Sequence, residues 1–130
     1  DRLRSRGLGD VYKRQLPHSR RINKIVQFVE KNYHHKISLE DVGELVGMSA
    51  SSVSRFFKQR TRHNFWDYLN GFRIDRAAQM MIETEHTISE ISYACGFNNI
   101  SNFNRVFRER IGTTPSDYRN KFKESIIPDR

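Results

Sequence analysis

Two stretches of this 130-residue chain, fifty positions apart, repeat one another. Ser51 returns as Ser101, Arg55 as Arg105, Phe57 as Phe107, Lys58 as Arg108 and Arg60 as Arg110; beyond them Asp67, Tyr68 and Asn70 return as Asp117, Tyr118 and Asn120. Upstream the offset falls to forty-nine, pairing Gly47 with Gly96 and Gly43 with Ser92, so the second copy carries one added residue. A solenoid needs at least three units to bury a continuous core. Two copies therefore predict two related small bodies.

Hydrophobic spacing says what each body is made of. Ile22, Ile25, Val26, Val29 and Tyr33 recur at intervals of three and four from Ser19 onward, predicting a first helix. Ser38 with Asp41 has the spacing of a capping box; Leu39, Val42, Leu45 and Val46 continue a second helix, which Gly47 can end. Ser49 can cap a third, from about Ala50 to Arg60, that buries Val53, Phe56 and Phe57. Asn64 can cap a fourth that runs to about Ile82 with Phe65, Tyr68, Leu69, Phe72, Ala77, Met80 and Met81 inward. Thr87 and Glu90 form a second capping box, opening a fifth helix with Ile88, Ile91 and Cys95 inward and Gly96 as its stop. A sixth covers about residues 99–110 and turns Ile100, Phe103, Val106 and Phe107 to one face. Thr114 and Pro115, as cap and first helical residue, start a seventh.

The expected fold is all-α: seven helices forming two helix-turn-helix subdomains, residues 20–62 and 87–122, joined by a long linker helix over 64–82. Each subdomain is of the three-helical, homeodomain-like kind. "DRLRSRGLGDVYKRQ" at the start shows neither helical nor alternating periodicity and resembles translated sequencing adapter, so the domain is expected over 16–125, with 126–130 a tail.

The third and sixth helices share a further property: their outer faces suit a partner better than plain water. Ser51, Ser54, Arg55, Lys58 and Arg62 oppose the phenylalanines of the third, and Ser101, Asn104, Arg105 and Arg108, with Asn102 alongside, those of the sixth. Arg can bond guanine O6 and N7 together, Asn can do the same for adenine, and Ser serves either base edge. Ser51, Ser54, Arg55, Ser101, Asn102 and Arg105 are accordingly the candidate base-reading residues. Ser49, Ser52, Lys58, Arg62, Asn99, Asn104 and Arg108 are the candidate phosphate contacts, which fix register and give salt-sensitive affinity. An excess of 23 Lys and Arg over 15 Asp and Glu gives a net charge of +8. Without the first fifteen residues it is +5, still enough to attract a polyanion.

Residues 20–122 resemble the DNA-binding domain of the AraC/XylS family of bacterial transcription regulators. "ISLEDVGELVGMSASSVSRFFKQRT" is similar to its first helix-turn-helix, "YLNGFRIDRAAQMM" to its linker helix, and "ISEISYACGFNNISNFNRVFRERIGTTPSDYR" to its second signature. The resemblance implies that Ser51, Ser54 and Arg55, and Ser101, Asn102 and Arg105, fall on base-contacting positions. It also implies double-stranded DNA as partner, activation more than repression, RNA polymerase as a protein partner, an effector-sensing domain upstream or none at all, and a bacterial cytoplasm. Two positions depart from the pattern. Ser51 stands where the family has a larger side chain, and Arg62 where the second copy has the helix-ending Gly112. With the recognition helices in successive major-groove segments, straight DNA is expected to bend wherever their separation falls short of the roughly 34 Å of a helical turn.

Other readings of the same residues stand beside this one. A basic helical module can bind an acidic protein, or any polyanion without regard to sequence. His34 and His35 point some 100° apart on a helix and have no third ligand nearby in sequence, so no metal site is expected. Cys95, the single cysteine, excludes an internal disulfide framework and falls at a core position. No G-x-S-x-G, Gly-rich phosphate loop or H-E-x-x-H occurs, and neither enzymatic activity nor a cofactor is expected. No apolar run nears the roughly 18 residues of a membrane span.

Overall fold

The computed structural model describes residues 20–126, with side chains described through residue 123. The adapter-like stretch and the expected helix start at Ser19 lie outside the described residues, as does the expected tail over 126–130 except for Ile126, which ends the last helix. Seven helices follow one another: α1 (Arg20–Asn32), α2 (Leu39–Val46), α3 (Ala50–Thr61), α4 (Phe65–Glu83), α5 (Ile88–Ala94), α6 (Ile100–Ile111) and α7 (Pro115–Ile126). Among the described residues there is no strand.

The helix starts are where the side chains put them. Ser38 and Thr87 each form a reciprocal capping box, with Asp41 and Glu90 respectively. Ser49, Asn64 and Asn99 cap α3, α4 and α6 through single side-chain oxygens. The backbone N–H of Thr87, and then its hydroxyl, holds the exposed Glu90 carboxyl below the ordinary carboxylate range.

Two cores result, one on each half of α4 along its length. Ile22, Ile25, Val26 and Val29 of α1 pack with Val42, Val53, Phe57, Phe65, Leu69 and Phe72; Ile74, Ala77, Ala78 and Met81 pack with Ile91, Cys95, Phe97, Phe103 and Phe107. The division falls between Phe72 and Ile74, at the buried Arg73. α4 is buried over five consecutive residues, Gly71 to Asp75, where the two cores meet and Arg110 packs against it. Phe56, Met80, Ile88, Ile100 and Val106, expected inward, are half-buried. Phe56 lies under the Arg60 guanidinium, 5.4 Å from its ring centre, and so faces the rim of its core.

The sequence repeat is also a packing repeat. Phe57 meets Tyr68, and Phe107 meets Tyr118, with ring centres 5.6 Å apart in both. α3 and α6 end alike: the N–H of Arg62 reaches the Lys58 carbonyl and that of Gly112 the Arg108 carbonyl, each at 2.8 Å. The added residue explains why Gly43 became Ser92. In the short α2–α3 turn a Cβ on Gly43 would run into the Met48 carbonyl oxygen. In the longer α5–α6 turn Ser92 fits, fully buried, its hydroxyl donating to the Ser89 carbonyl. α5 stops at Ala94, one residue earlier than the glycine signal alone suggests; Cys95 caps it and Gly96 takes the positive φ.

Arg62 keeps the left-handed conformation that Gly112 has in the second copy, with φ 65°. A side chain there costs on the order of 1 kcal/mol. Arg62→Gly is therefore expected to raise the stability of the domain by about 1 kcal/mol, while Arg62→Ala, equally strained, should not. Thermal unfolding of both variants checks this, and equal midpoints for the two would place the difference in the arginine side chain.

Candidate nucleic-acid interface

α3 and α6 owe their exposed faces to the phenylalanines beneath them. Val53 and Phe57 fix the rotation of α3, and Phe103 and Phe107 that of α6; all four are buried. With those positions inward, Ser51, Arg55, Lys58 and Arg62 are exposed on the first helix and its cap, and Ser101, Asn102, Asn104, Arg105 and Arg108 on the second. Ser54 and Ser52 are half-buried. Ser54 thus presents less of itself than its sequence position suggests.

The two faces are wired differently. Among the described residues nothing bonds the Arg55, Lys58, Ser101, Asn104 or Arg108 side chains, so their donors are available. Ser49, Ser51 and Ser52 form a hydroxyl cluster: the Ser49 oxygen accepts from the Ser52 N–H at 3.2 Å and bonds the Ser52 hydroxyl at 2.9 Å, with Ser51 at 3.4 Å. Asn99 accepts from the Asn102 N–H at 2.9 Å. Ser49 and Asn99 are therefore helix caps in the first instance, and any phosphate bond they make is an additional one. Arg105 is held on both sides. Its Nη2 donates to the Asn102 side-chain oxygen at 2.7 Å and its Nη1 to both Glu109 oxygens at 3.2 Å.

Below this surface, arginines that look like surface charges in the sequence act as fasteners. Arg110, the repeat partner of Arg60, makes a two-pronged bond to Asp75 of α4, Nε to Oδ1 at 3.0 Å and Nη2 to Oδ2 at 2.9 Å. Arg73 donates to the Tyr33 and His35 carbonyls, each at 2.8 Å, and its guanidinium stands over the Phe97 ring. Burial lowers its pKa, which the field of Cys95 opposes. Arg119 ties α7 to the end of α4 through the Met81, Thr84 and His86 carbonyls. These bonds fix α6, α7 and the connection between α1 and α2 to the linker helix. Sequence reading had no signal for them, since their partners lie 33 to 40 residues away.

A helix-turn-helix domain family model matches residues 42–121. Transcriptional activator RhrA of Rhizobium meliloti (strain 1021) is 38% identical over 115 residues, covering 86% of this chain and 36% of that protein. A transcriptional regulator from Chromobacterium violaceum with an AraC-type DNA-binding domain superposes with a TM-score of 0.75 at 26% identity, covering 88% of this chain and 99% of that one. The chain belongs to the AraC/XylS family.

Another solved structure, the DNA-binding domain of AdpA, shares the fold with a TM-score of 0.77 at 20% identity, over 82% of this chain and 96% of that one. The chain spans 13 to 38% of the length of the curated relatives it matches. Within this AraC/XylS domain, Cys95 is fully buried with its thiol 3.6 Å from the Met80 sulfur, and burial pushes its pKa up to about 11. Near neutral pH it is a protonated core thiol, as its place in the sequence suggests. His34 and His35 follow the end of α1 rather than lying on a helix, their rings 4.0 Å apart and tilted by 43°, and among the described residues no three His, Cys, Asp or Glu side chains gather as metal ligands. No described helix is long and apolar enough to cross a membrane.

Proposed function

We propose that the chain binds double-stranded DNA at specific sequences and activates transcription, with α3 and α6 in successive major-groove segments and RNA polymerase as the protein partner at the promoter. The single observation that carries the proposal is the duplicated exposed face: Arg55 and Arg105 are both exposed, on helices whose undersides are seated by the same Phe–Tyr packing. A face built only for solubility has no reason to recur, arginine for arginine. Arg55, Arg105, Ser51, Ser54, Ser101 and Asn102 are assigned to base edges. Lys58, Arg62, Asn104 and Arg108, with the cap residues Ser49, Ser52 and Asn99, are assigned to phosphates. RhrA is named an activator, and the AdpA domain was solved in complex with a target DNA; both favour this reading.

Selection of bound sequences from a random duplex pool tests it. Arg55→Ala and Arg105→Ala should each relax preference at a separate patch of the selected site, with a penalty of about 1 to 3 kcal/mol per lost bidentate contact. Net charge supports a second reading, attachment to any polyanion. It predicts equal affinity for all duplexes and an equal loss from either substitution at every sequence.

A further inference from the structure

Glu109 is a poor choice for the place it occupies. It sits in the last turn of α6, where the carbonyl ends of the helix disfavour a negative charge, while Arg108 and Arg110 on either side obey the rule. It follows Arg105 by four residues, the less favourable order for an ion pair along a helix. Both side chains of the pair are more than 60% exposed, so the bond adds little to stability. Local helix physics thus gives no account of Glu109. A residue that breaks the local rule without strengthening the fold points to function.

What Glu109 does in the structure is hold Arg105. With Nη1 on the carboxylate and Nη2 on the Asn102 oxygen, the guanidinium lies along the exposed face between residues one turn behind and one turn ahead, and Nε takes no part in these bonds. An arginine so held is biased toward one orientation before it meets a base, and part of its charge is already answered. The first helix has neither brace. Ser52 stands where α6 has Asn102 and Gln59 where it has Glu109, and among the described residues nothing bonds the Arg55 guanidinium.

We infer that Glu109 is a positioning residue that orients Arg105 for base reading and withholds it from phosphates, making α6 the stricter reader of the two recognition helices. The inference rests on the reading of Arg105 as a base contact. Biased placement favours the base pair whose acceptors match the held orientation, whereas an unbraced arginine can turn to a phosphate as well as to a base. The carboxylate also repels phosphates that approach Arg105 from the side, which reduces binding to unrelated duplex.

The full chain serves for the test, with Arg105→Ala, Glu109→Gln, Glu109→Ala and Gln59→Glu put through duplex selection and salt titration. Circular dichroism should show all four as helical as the parent, since each side chain is exposed. Glu109→Gln and Glu109→Ala are expected to tighten binding to unrelated duplex, to cut the ratio of specific to non-specific affinity about tenfold, and to relax preference at the base pairs that Arg105→Ala relaxes. Their salt dependence should steepen by up to about one phosphate contact. Gln59→Glu places a carboxylate four residues after Arg55 and should sharpen preference at the other patch. If Arg105→Ala relaxes preference and the Glu109 variants leave both profile and salt slope unchanged, Glu109 has no positioning role. If Arg105→Ala changes no preference, the base-reading assignment itself fails, and this inference with it.

Discussion

Arg110→Ala is expected to destabilise the domain by about 3 kcal/mol, a large cost for an arginine on a charged helix. The reason lies in its partner. The Asp75 side chain is only 5% exposed, and both of its oxygens accept from Arg110. Removing the guanidinium leaves a carboxylate inside the protein with neither counter-charge nor donor, the arrangement that makes broken buried pairs expensive. The reverse deletion should be milder, about 1 to 2 kcal/mol for Asp75→Ala, because the Arg110 side chain is 31% exposed and its charge can turn to water. Adding Asp75→Asn to Arg110→Ala should recover part of the loss. Urea denaturation of the three variants measures the asymmetry, and equal costs for the two single substitutions would show that the pair is solvated like a surface one.

Arg73→Met should lower stability by about 2 to 3 kcal/mol and loosen the coupling between the two bodies. The methionine fills the apolar volume but gives the Tyr33 and His35 carbonyls no donor, and Arg73 stands where the two cores divide. Gly96 is part of the same construction: a Cβ there would meet the Tyr33 carbonyl oxygen and the Arg73 guanidinium, and its φ is 97°. Arg73→Lys should restore less than half of the loss, since one ammonium lacks the planar fork that serves two carbonyls together. The expected signature in urea is a lower midpoint with a shallower slope, as the halves cease to unfold as one. A lower midpoint with an unchanged slope would confine Arg73 to stability and remove its part in joining the bodies.

Joining matters to function because the proposed reading of DNA uses two helices at once. Two groove contacts on one chain reinforce each other only if their separation and tilt are held. α4 supplies the span, and Arg73, Arg110 and Arg119 supply the attachments.

Much of this was legible from residue order because the forces concerned act over one or two turns. Ser38, Ser49, Asn64 and Thr87 mark helix starts through bonds to N–H groups two or three residues away, whereas the cap role of Asn99 shows only in the structure. Phe57 and Phe107 mark the seated sides of α3 and α6 through a spacing that any helix must obey. Even the strain at Arg62 was readable, by comparison with Gly112. Ser54 and Phe56 are both half-buried, and period alone cannot tell a core from its rim.

The order of residues by itself therefore determined seven helices, the caps of α2, α3, α4 and α5, the duplication and which faces of α3 and α6 stay exposed. Only the tertiary structure decided what the arginines do. Arg55 and Arg108 remain exposed with free donors, Arg105 is braced by Asn102 and Glu109, and Arg73, Arg110 and Arg119 are fasteners, although all six look alike in a basic sequence. The physical reason is that a charge acquires its role from whatever acceptor the fold brings to it. For the fasteners that acceptor lies 33 to 40 residues away along the chain, beyond the reach of any local pattern.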